Sequence, residues 1–120
     1  MNRKMERVNA TLRREIGVFI TESLADPRIA TMTSVTLVDT SPDLAVATVS
    51  VSVMGTDEER KATLVALESA AGYIRHGVQD RVRMRHVPRL QFKLDTRMEK
   101  TAQMLAFLDE VIEQDRRQSS

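Results

Sequence analysis

The chain has 120 residues, of which 42% are hydrophobic, and it carries a formal net charge of +1 and no cysteine. This length allows one domain with a core of its own. The absence of cysteine excludes disulfides, thiolate nucleophiles and cysteine zinc sites. The near-neutral charge argues against a protein that coats nucleic acid indiscriminately, so the placement of the charges matters more. Because no apolar run is long enough for a signal segment or a membrane span, we expect a soluble, unexported protein.

The first half of the chain predicts a helix and a β-hairpin. Apolar residues recur at helical spacing over residues 8–24, and the helix should end before Pro27, which disfavours helical backbone at the preceding residue. Residues 33–38 are rich in threonine and valine, and residues 45–53 alternate between apolar and polar side chains. Both patterns are typical of strands. Residues 40–43 have the composition of a tight loop, so the two strands should pair antiparallel.

The next segment predicts two helices joined at a bend. Thr56 and Glu59 match a capping box, which marks a helix start. The apolar spacing of one helix face then continues through Gly72, although glycine in a helix costs about 1 kcal/mol relative to alanine. Glycine lets the backbone bend or lets another backbone come close, so we predict a kink or a helix-to-helix joint at Ala70-Ala71-Gly72. A third helical piece should then run to about Met84.

The chain closes with a strand and an amphipathic helix. Residues 90–94 alternate as a strand does, and residues 98–112 repeat apolar side chains at helical spacing. Phe19, Phe92 and Phe107 fall on apolar stripes and are predicted to lie in the core. The connection from the second strand to the third is long enough for a crossover, which allows a mixed sheet. We predict a single α+β domain with helices on one face of a short sheet.

Basic residues gather near the N-terminus and in a second segment, residues 75–89. This second segment contains only one acid, Asp80. Arginine and lysine contact phosphates, so the second segment favours a nucleic-acid surface, whereas a solvated helix face is the simpler alternative. For the N-terminal bases the two interpretations are balanced, because exposed helix starts are commonly charged. Together with the joint, the candidate RNA-binding residues are Arg3, Lys4, Arg7, Ala70, Ala71, Gly72, Arg75, Arg81, Arg83, Arg85 and Arg89.

Aromatic residues make up 3% of the chain, which argues against a domain that stacks bases on aromatic residues of its sheet. Tyr73 is the one aromatic placed beside the joint, and we predict core packing for it rather than contact with RNA. His76 and His86 have no carboxylate at a suggestive spacing, and no glycine-rich phosphate loop is present. We therefore predict no catalytic residues, no metal site and no cofactor.

The predicted order of elements, αββααβ with a helix-kink-helix and a C-terminal helix, resembles the KH-like (type II) domain of RNA-binding proteins. The local sequence resembles the ribosome-binding factor A family of bacterial ribosome assembly factors. The segments that carry this resemblance are Asp26-Pro27-Arg28, Val35-Thr36, residues 41–44, residues 45–55, residues 70–75 and residues 83–92. In that family an Ala-x-Gly joint replaces the glycine-rich KH loop, and Ala70-Ala71-Gly72 fits it.

The resemblance implies a cytoplasmic, monomeric factor that binds the small (30S) ribosomal subunit and its 16S rRNA. It also implies a role in late maturation and processing of that RNA, important at low temperature, with release by an assembly GTPase and no role for a membrane. The RNA-binding domain should cover residues 1–113, followed by a short flexible tail over residues 114–120. The alternative is a small α+β module for protein-protein interaction or dimerisation, in which the arginines meet an acidic protein.

Overall fold

The computed structural model describes residues 3–119 as four helices and a three-stranded sheet. Their bounds are α1 Arg3–Ser23, β1 Thr33–Thr40, β2 Val46–Val53, α2 Asp57–Ser69, α3 Ala71–Gln79, β3 Arg89–Leu94 and α4 Arg97–Ser119. This is the predicted α+β, KH-like (type II) order with a terminal helix. Within the described residues, no helix combines the length and the apolar character needed to cross a membrane.

The strands form one mixed sheet in the order β1-β2-β3. β1 and β2 pair antiparallel, which confirms the predicted hairpin. In the turn between them, the Asp43 carboxylate accepts a hydrogen bond from the Ser41 hydroxyl at 2.7 Å. β2 and β3 pair in parallel, with Val46 opposite Arg89. Parallel neighbours need a long crossover connection, and α2 and α3 supply it.

The core lies between the sheet and the helices that cover one of its faces. Successive strand residues point to opposite faces, so the apolar half of the β2 alternation points inward. α1, α2 and α3 turn their apolar stripes toward it. The core includes Leu12, Ile16 and Phe19 of α1, Ala47, Val49 and Val51 of β2, Leu67 of α2, Ile74 and Val78 of α3, and Leu90 and Phe92 of β3. The opposite face carries exposed polar side chains such as Gln91 and Lys93.

The predicted joint is present, because α2 ends at Ser69 and α3 begins at Ala71 with only Ala70 between them. Ala70 has φ −93° and ψ 2°, so the bend occurs at this alanine rather than at the glycine. Gly72 lies inside α3, and a Cβ added there would meet nothing within 4 Å. The prediction that Gly72 allows the close approach of another backbone, one of the two reasons suggested for this glycine, is therefore wrong.

Side chains fix the ends of two helices. At the start of α2, the Thr56 hydroxyl accepts the Glu59 N–H at 3.1 Å and the Glu59 carboxylate accepts the Thr56 N–H at 3.0 Å, which confirms the capping box. α3 ends at Gln79, well before the predicted end near Met84. The Gln79 side chain donates to the Met84 carbonyl at 2.8 Å and accepts the Val87 N–H at 2.7 Å. One side chain thus satisfies two backbone groups of the α3–β3 loop and holds this loop across its base.

The largest difference from the prediction is α4. The helix forms, but none of its described residues is buried, and Phe107, predicted to lie in the core, is 59% exposed. α1, α2 and α3 already cover the inner face of the sheet, so α4 finds no place there and projects from the body. The radius of gyration is accordingly 18.4 Å. A compact domain of this length has a radius of about 14 Å.

The last residues also differ from the predicted tail. Residues 114–119 continue α4, where Arg117 pairs with Glu113 at 3.9 Å and the Ser119 hydroxyl donates to the Asp115 carbonyl at 2.7 Å. These contacts, one turn apart, support helical backbone to Ser119. Residues 1, 2 and 120 of the predicted domain and tail lie outside the described residues. The domain boundary at residue 113 stays a prediction.

Asp95 ties the start of α4 to the sheet. Its carboxylate accepts hydrogen bonds from the Arg97 guanidinium at 2.7 Å, from the Thr36 hydroxyl at 2.7 Å and from the Arg97 backbone N–H at 3.1 Å. The Arg97 side chain first, then Thr36 and the Arg97 backbone, hold the pKa of the Asp95 carboxyl well below its usual range. All of these partners stabilise the charged form.

Stability should therefore depend on pH through Asp95. The folded-state pKa lies below the unfolded value of about 3.9, so this contribution is present above that pH and is lost as pH falls through the acid range. We expect urea unfolding, followed by circular dichroism, to show that Asp95→Asn is less stable than the wild type at neutral pH. The difference should shrink as the pH falls below about 4. A difference that stays constant across the pH series would contradict this role.

Candidate nucleic-acid interface

The structure brings the N-terminal bases together with one base of the α3–β3 loop. Arg3, Lys4 and Arg7 follow one another along the first turns of α1, and Arg83 lies across from them. Together they line an open groove of about 640 Å³, which we call the N-terminal basic groove. Its remaining lining residues are Val8, Thr11 and Met84. Cations separated by some 80 residues in sequence thus share one surface, and α1 and the loop position them.

The groove depends on how the α3–β3 loop is anchored. Arg81 donates from its Nε to the Glu15 carboxylate of α1 at 3.0 Å, and Arg75 donates from its Nε to the Val87 carbonyl at 2.7 Å. Both bonds, with those of Gln79, fix the loop against the two helices. Arg75 and Arg81, predicted as RNA-binding residues, therefore also have a structural role that keeps Arg83 in place.

Three further predicted arginines have exposed side chains. Arg83 and Arg85 lie on the α3–β3 loop, and Arg89 begins β3. Leu90 points into the core, so the strand alternation directs Arg89 to the open face of the sheet. No acid among residues 3–119 forms a salt bridge with any of these three arginines. Arg83 belongs to the N-terminal basic groove, whereas Arg89 faces away from it.

A second group surrounds the α2–α3 joint. Gly72, Arg75, His76 and Gln79 recur at helical spacing and line a shallow depression on the exposed side of α3. We call Gly72, Arg75 and His76 the joint surface. Ala70 and Ala71 are half-buried and pack against the core, so backbone groups are what they offer a ligand. No side chain in the described structure caps the N-terminus of α3, where the helix dipole favours an anion.

The two groups lie toward opposite ends of one helix pair. Phe19 contacts Tyr73, Glu15 pairs with Arg81, and Arg7 shares the groove with Arg83, so α1 and α3 run antiparallel. Arg3 lies about 24 Å from Phe19 along α1, at 1.5 Å per residue. The structure therefore places four predicted bases in the groove and Gly72 and Arg75 on the joint surface, whereas Arg81, Arg85 and Arg89 line neither.

Sequence reasoning missed two features of α3. Tyr73, predicted to pack in the core, is 61% exposed and meets Phe19 edge-on, with ring centroids 5.5 Å apart. Gly77, not Gly72, is the crowded glycine, because a Cβ there would lie 2.0 Å from Cε2 of Phe19. The available signal was a second glycine in a nine-residue helix, three residues after Ile74 and therefore on the buried face.

The chemistry offered by these surfaces is that of phosphate binding. Guanidinium and ammonium groups form charge-assisted hydrogen bonds with phosphate oxygens, and their contacts position a nucleic acid without reading its sequence. Within residues 3–119, no group of three or more histidine, aspartate or glutamate side chains could hold a metal ion. The contact of the predicted residues with RNA stays a prediction.

Comparison with known proteins identifies the family. A family model described as ribosome-binding factor A matches residues 4–108. Ribosome-binding factor A of Caldanaerobacter subterraneus subsp. tengcongensis is 39% identical over 115 residues, which are 96% of this chain and 94% of that protein. These matches cover nearly the whole chain.

Solved structures agree with the sequence comparison. The crystal structure of ribosome-binding factor A from Thermus thermophilus matches with a TM-score of 0.67 and 31% identity, covering 75% of this chain and 93% of that chain. A homology model of the Thermus thermophilus factor, fitted into the cryo-EM map of its complex with the 30S subunit, matches with a TM-score of 0.59 and 32% identity, covering 72% of this chain and 90% of that chain. By its sequence and its fold, the chain belongs to the ribosome-binding factor A family.

Proposed function

We propose that this protein binds the small (30S) ribosomal subunit through its 16S rRNA and assists the late maturation of that subunit. The observation that carries the proposal is the N-terminal basic groove, in which Arg3, Lys4, Arg7 and Arg83 converge although the chain as a whole is nearly neutral. Membership of the ribosome-binding factor A family and the 30S complex of the Thermus thermophilus relative support the choice of partner. The predicted RNA-binding residues of the groove and the joint surface are the proposed contacts.

The proposed mechanism is binding without catalysis. A factor with no chemical step shifts an RNA equilibrium only by its differential affinity for the two arrangements of the RNA. This factor would favour the arrangement of 16S rRNA that is competent for processing. The requirement should be strongest at low temperature, where alternative RNA structures persist longer. The proposal includes a cytoplasmic location, a monomeric state and release from the subunit by an assembly GTPase.

One observation favours a second candidate function. The exposed apolar side chains of α4, such as Leu105 and Phe107, are typical of a surface that contacts protein. A hydrophobic interaction or dimerisation module would use this helix rather than the arginines, and it would not need the N-terminal basic groove. Its binding should depend little on salt, whereas phosphate contacts release counterions and weaken steeply as salt rises.

The test is co-sedimentation of the purified protein with small subunits, large subunits and complete ribosomes over a series of salt concentrations. We expect binding confined to the small subunit, with the logarithm of the association constant falling linearly against the logarithm of the salt concentration. Binding to none of the particles, or equal binding to all of them, would reject the proposal. Binding that does not change with salt would favour the interaction module.

A further inference from the structure

Tyr73 is the first aromatic residue after the joint. Its side chain is 61% exposed, whereas Phe19 and Phe92, the other aromatic residues between α1 and β3, are buried. A ring exposed to this extent offers an apolar face that a ligand can cover. Tyr73 is therefore the one ring of the folded body that is available to a partner.

The ring of Tyr73 rests on a rigid support. Phe19 contacts it at an interplanar angle of 60°, and Phe19 itself is buried. One turn further along α3, Gly77 lies so close to Phe19 that a Cβ there would be 2.0 Å from Cε2 and 2.4 Å from Cζ of the ring. Phe19 has no room to move toward α3. Tyr73 is consequently held in position, and less conformational entropy is lost when a ligand covers it.

The surroundings of Tyr73 suit a nucleotide. Gly72 leaves the backbone of the first α3 turn bare, with open space where a side chain would stand. His76 is the i+3 neighbour of Tyr73 on α3, and neighbours at this spacing have Cβ atoms about 5–6 Å apart. Arg75, also on the joint surface, keeps guanidinium N–H groups beyond the Nε that binds Val87. A base on Tyr73 would thus lie beside bare backbone, the His76 ring and the Arg75 guanidinium, where its phosphate can bind.

We propose that Tyr73 stacks on an unpaired RNA base, while the joint surface binds the adjoining phosphate. The proposal rests on the proposed function and deepens it, because it names single-stranded RNA as the ligand of this surface. Stacking on an aromatic ring tolerates any base, since every base has a π-face. The site would hold one flipped or looped nucleotide beside α1, the helix whose first turns line the N-terminal basic groove. Affinity would then have two components, and only the groove component would be mainly electrostatic.

A structural role for Tyr73 leads to a different expectation. If the ring only shields the edge of Phe19 from water, its replacement lowers the stability of the fold and leaves RNA affinity unchanged. If the ring stacks on a base, its replacement lowers RNA affinity and changes stability little, because most of the side chain is already in water. Tyr73→Phe keeps the ring and should bind normally, whereas Tyr73→Leu keeps only an apolar contact with Phe19.

The chain supplies its own probe, because Tyr73 is the only tyrosine and there is no tryptophan. Intrinsic tyrosine emission therefore reports on this side chain alone. We would titrate the protein with a short single-stranded oligoribonucleotide of mixed sequence, and with the same sugar-phosphate backbone lacking bases. N-acetyltyrosinamide, titrated in parallel, corrects for light absorbed by the RNA. We expect saturable quenching by the oligoribonucleotide and none by the abasic backbone.

The variants complete the test. By fluorescence anisotropy of the labelled oligoribonucleotide, Tyr73→Leu should bind about tenfold more weakly than the wild type and Tyr73→Phe should bind within a factor of about two. Urea unfolding of all three proteins separates affinity from stability. If the oligoribonucleotide binds while tyrosine emission stays constant and Tyr73→Leu binds normally, stacking is overturned, whereas the proposed function stands as long as small subunits bind the protein in co-sedimentation. If the wild type binds neither RNA nor small subunits, both proposals fail.

Discussion

Gly77→Ala should lower the free energy of unfolding by about 3 kcal/mol, the upper end of the usual cost of overpacking. The added Cβ would lie 2.0 Å from Cε2, 2.4 Å from Cζ and 2.8 Å from Cδ2 of Phe19. Phe19 is buried between α1 and α3, so its ring cannot swing into solvent without opening the core. Either the ring leaves its rotamer or the two helices move apart, and each response costs packing energy. Urea unfolding, followed by circular dichroism, measures the change in the free energy of unfolding.

Gly72→Ala is the matched control for Gly77→Ala. It makes the same chemical change in the same helix, but its Cβ would meet nothing within 4 Å. Alanine has the higher helix propensity, so this variant should be more stable than the wild type by about 0.5–1 kcal/mol. The two substitutions should therefore change stability in opposite directions. Equal effects would mean that the Phe19 contact does not determine the cost at Gly77.

Reversing three charges in the N-terminal basic groove should weaken binding to the small subunit on the order of a hundredfold at moderate salt. The variant is Arg3→Glu, Arg7→Glu, Arg83→Glu. All three side chains are exposed, so the fold should persist, which unfolding curves can verify. Each lost phosphate contact reduces the magnitude of the slope of log affinity against log salt by about one. The three substitutions should therefore reduce it by about three. Salt-series co-sedimentation gives both quantities.

The control for this prediction carries the same change in net charge at a distant place. Lys100→Glu, Arg116→Glu, Arg117→Glu alters three exposed bases of α4, which projects from the body. Its affinity for the small subunit should stay within a few-fold of the wild type. If both triple variants weaken binding equally, net charge rather than the groove governs association. If neither does, the groove lies outside the interface.

Periodicity in the sequence was sufficient to predict the helices and strands that bury one face. The β2 alternation and the α1 stripe were predicted because burial of one side imposes a repeat on the sequence. α4 shows the limit of this reasoning, since its stripe has the same repeat but no partner in the fold. The end of α3 was missed for another reason, because the Gln79 side chain binds backbone groups of the following loop, and no repeat in the sequence records such bonds.

For the candidate site, the sequence located the bases but not their arrangement. Arg81 and Arg83 are close in sequence and equally charged, yet only Arg81 pairs with Glu15, which is 66 residues away. The convergence of Arg3 and Arg83 likewise depends on how α1 packs against α3. The exposure of Tyr73 depends on the same packing, because Phe19 occupies the place beside Gly77. Such long-range contacts require the tertiary structure.

The position of the core along the chain has a consequence for biosynthesis. Among the described residues, every buried side chain lies at or before Phe92, and the 23 residues of α4 contribute none. A nascent chain thus has its whole core before α4, a rod of about 35 Å, is made. The hairpin can form early, but its second strand must wait for β3, which pairs with it in parallel from the far side of the crossover. Completion of the sheet should therefore be the late step of folding.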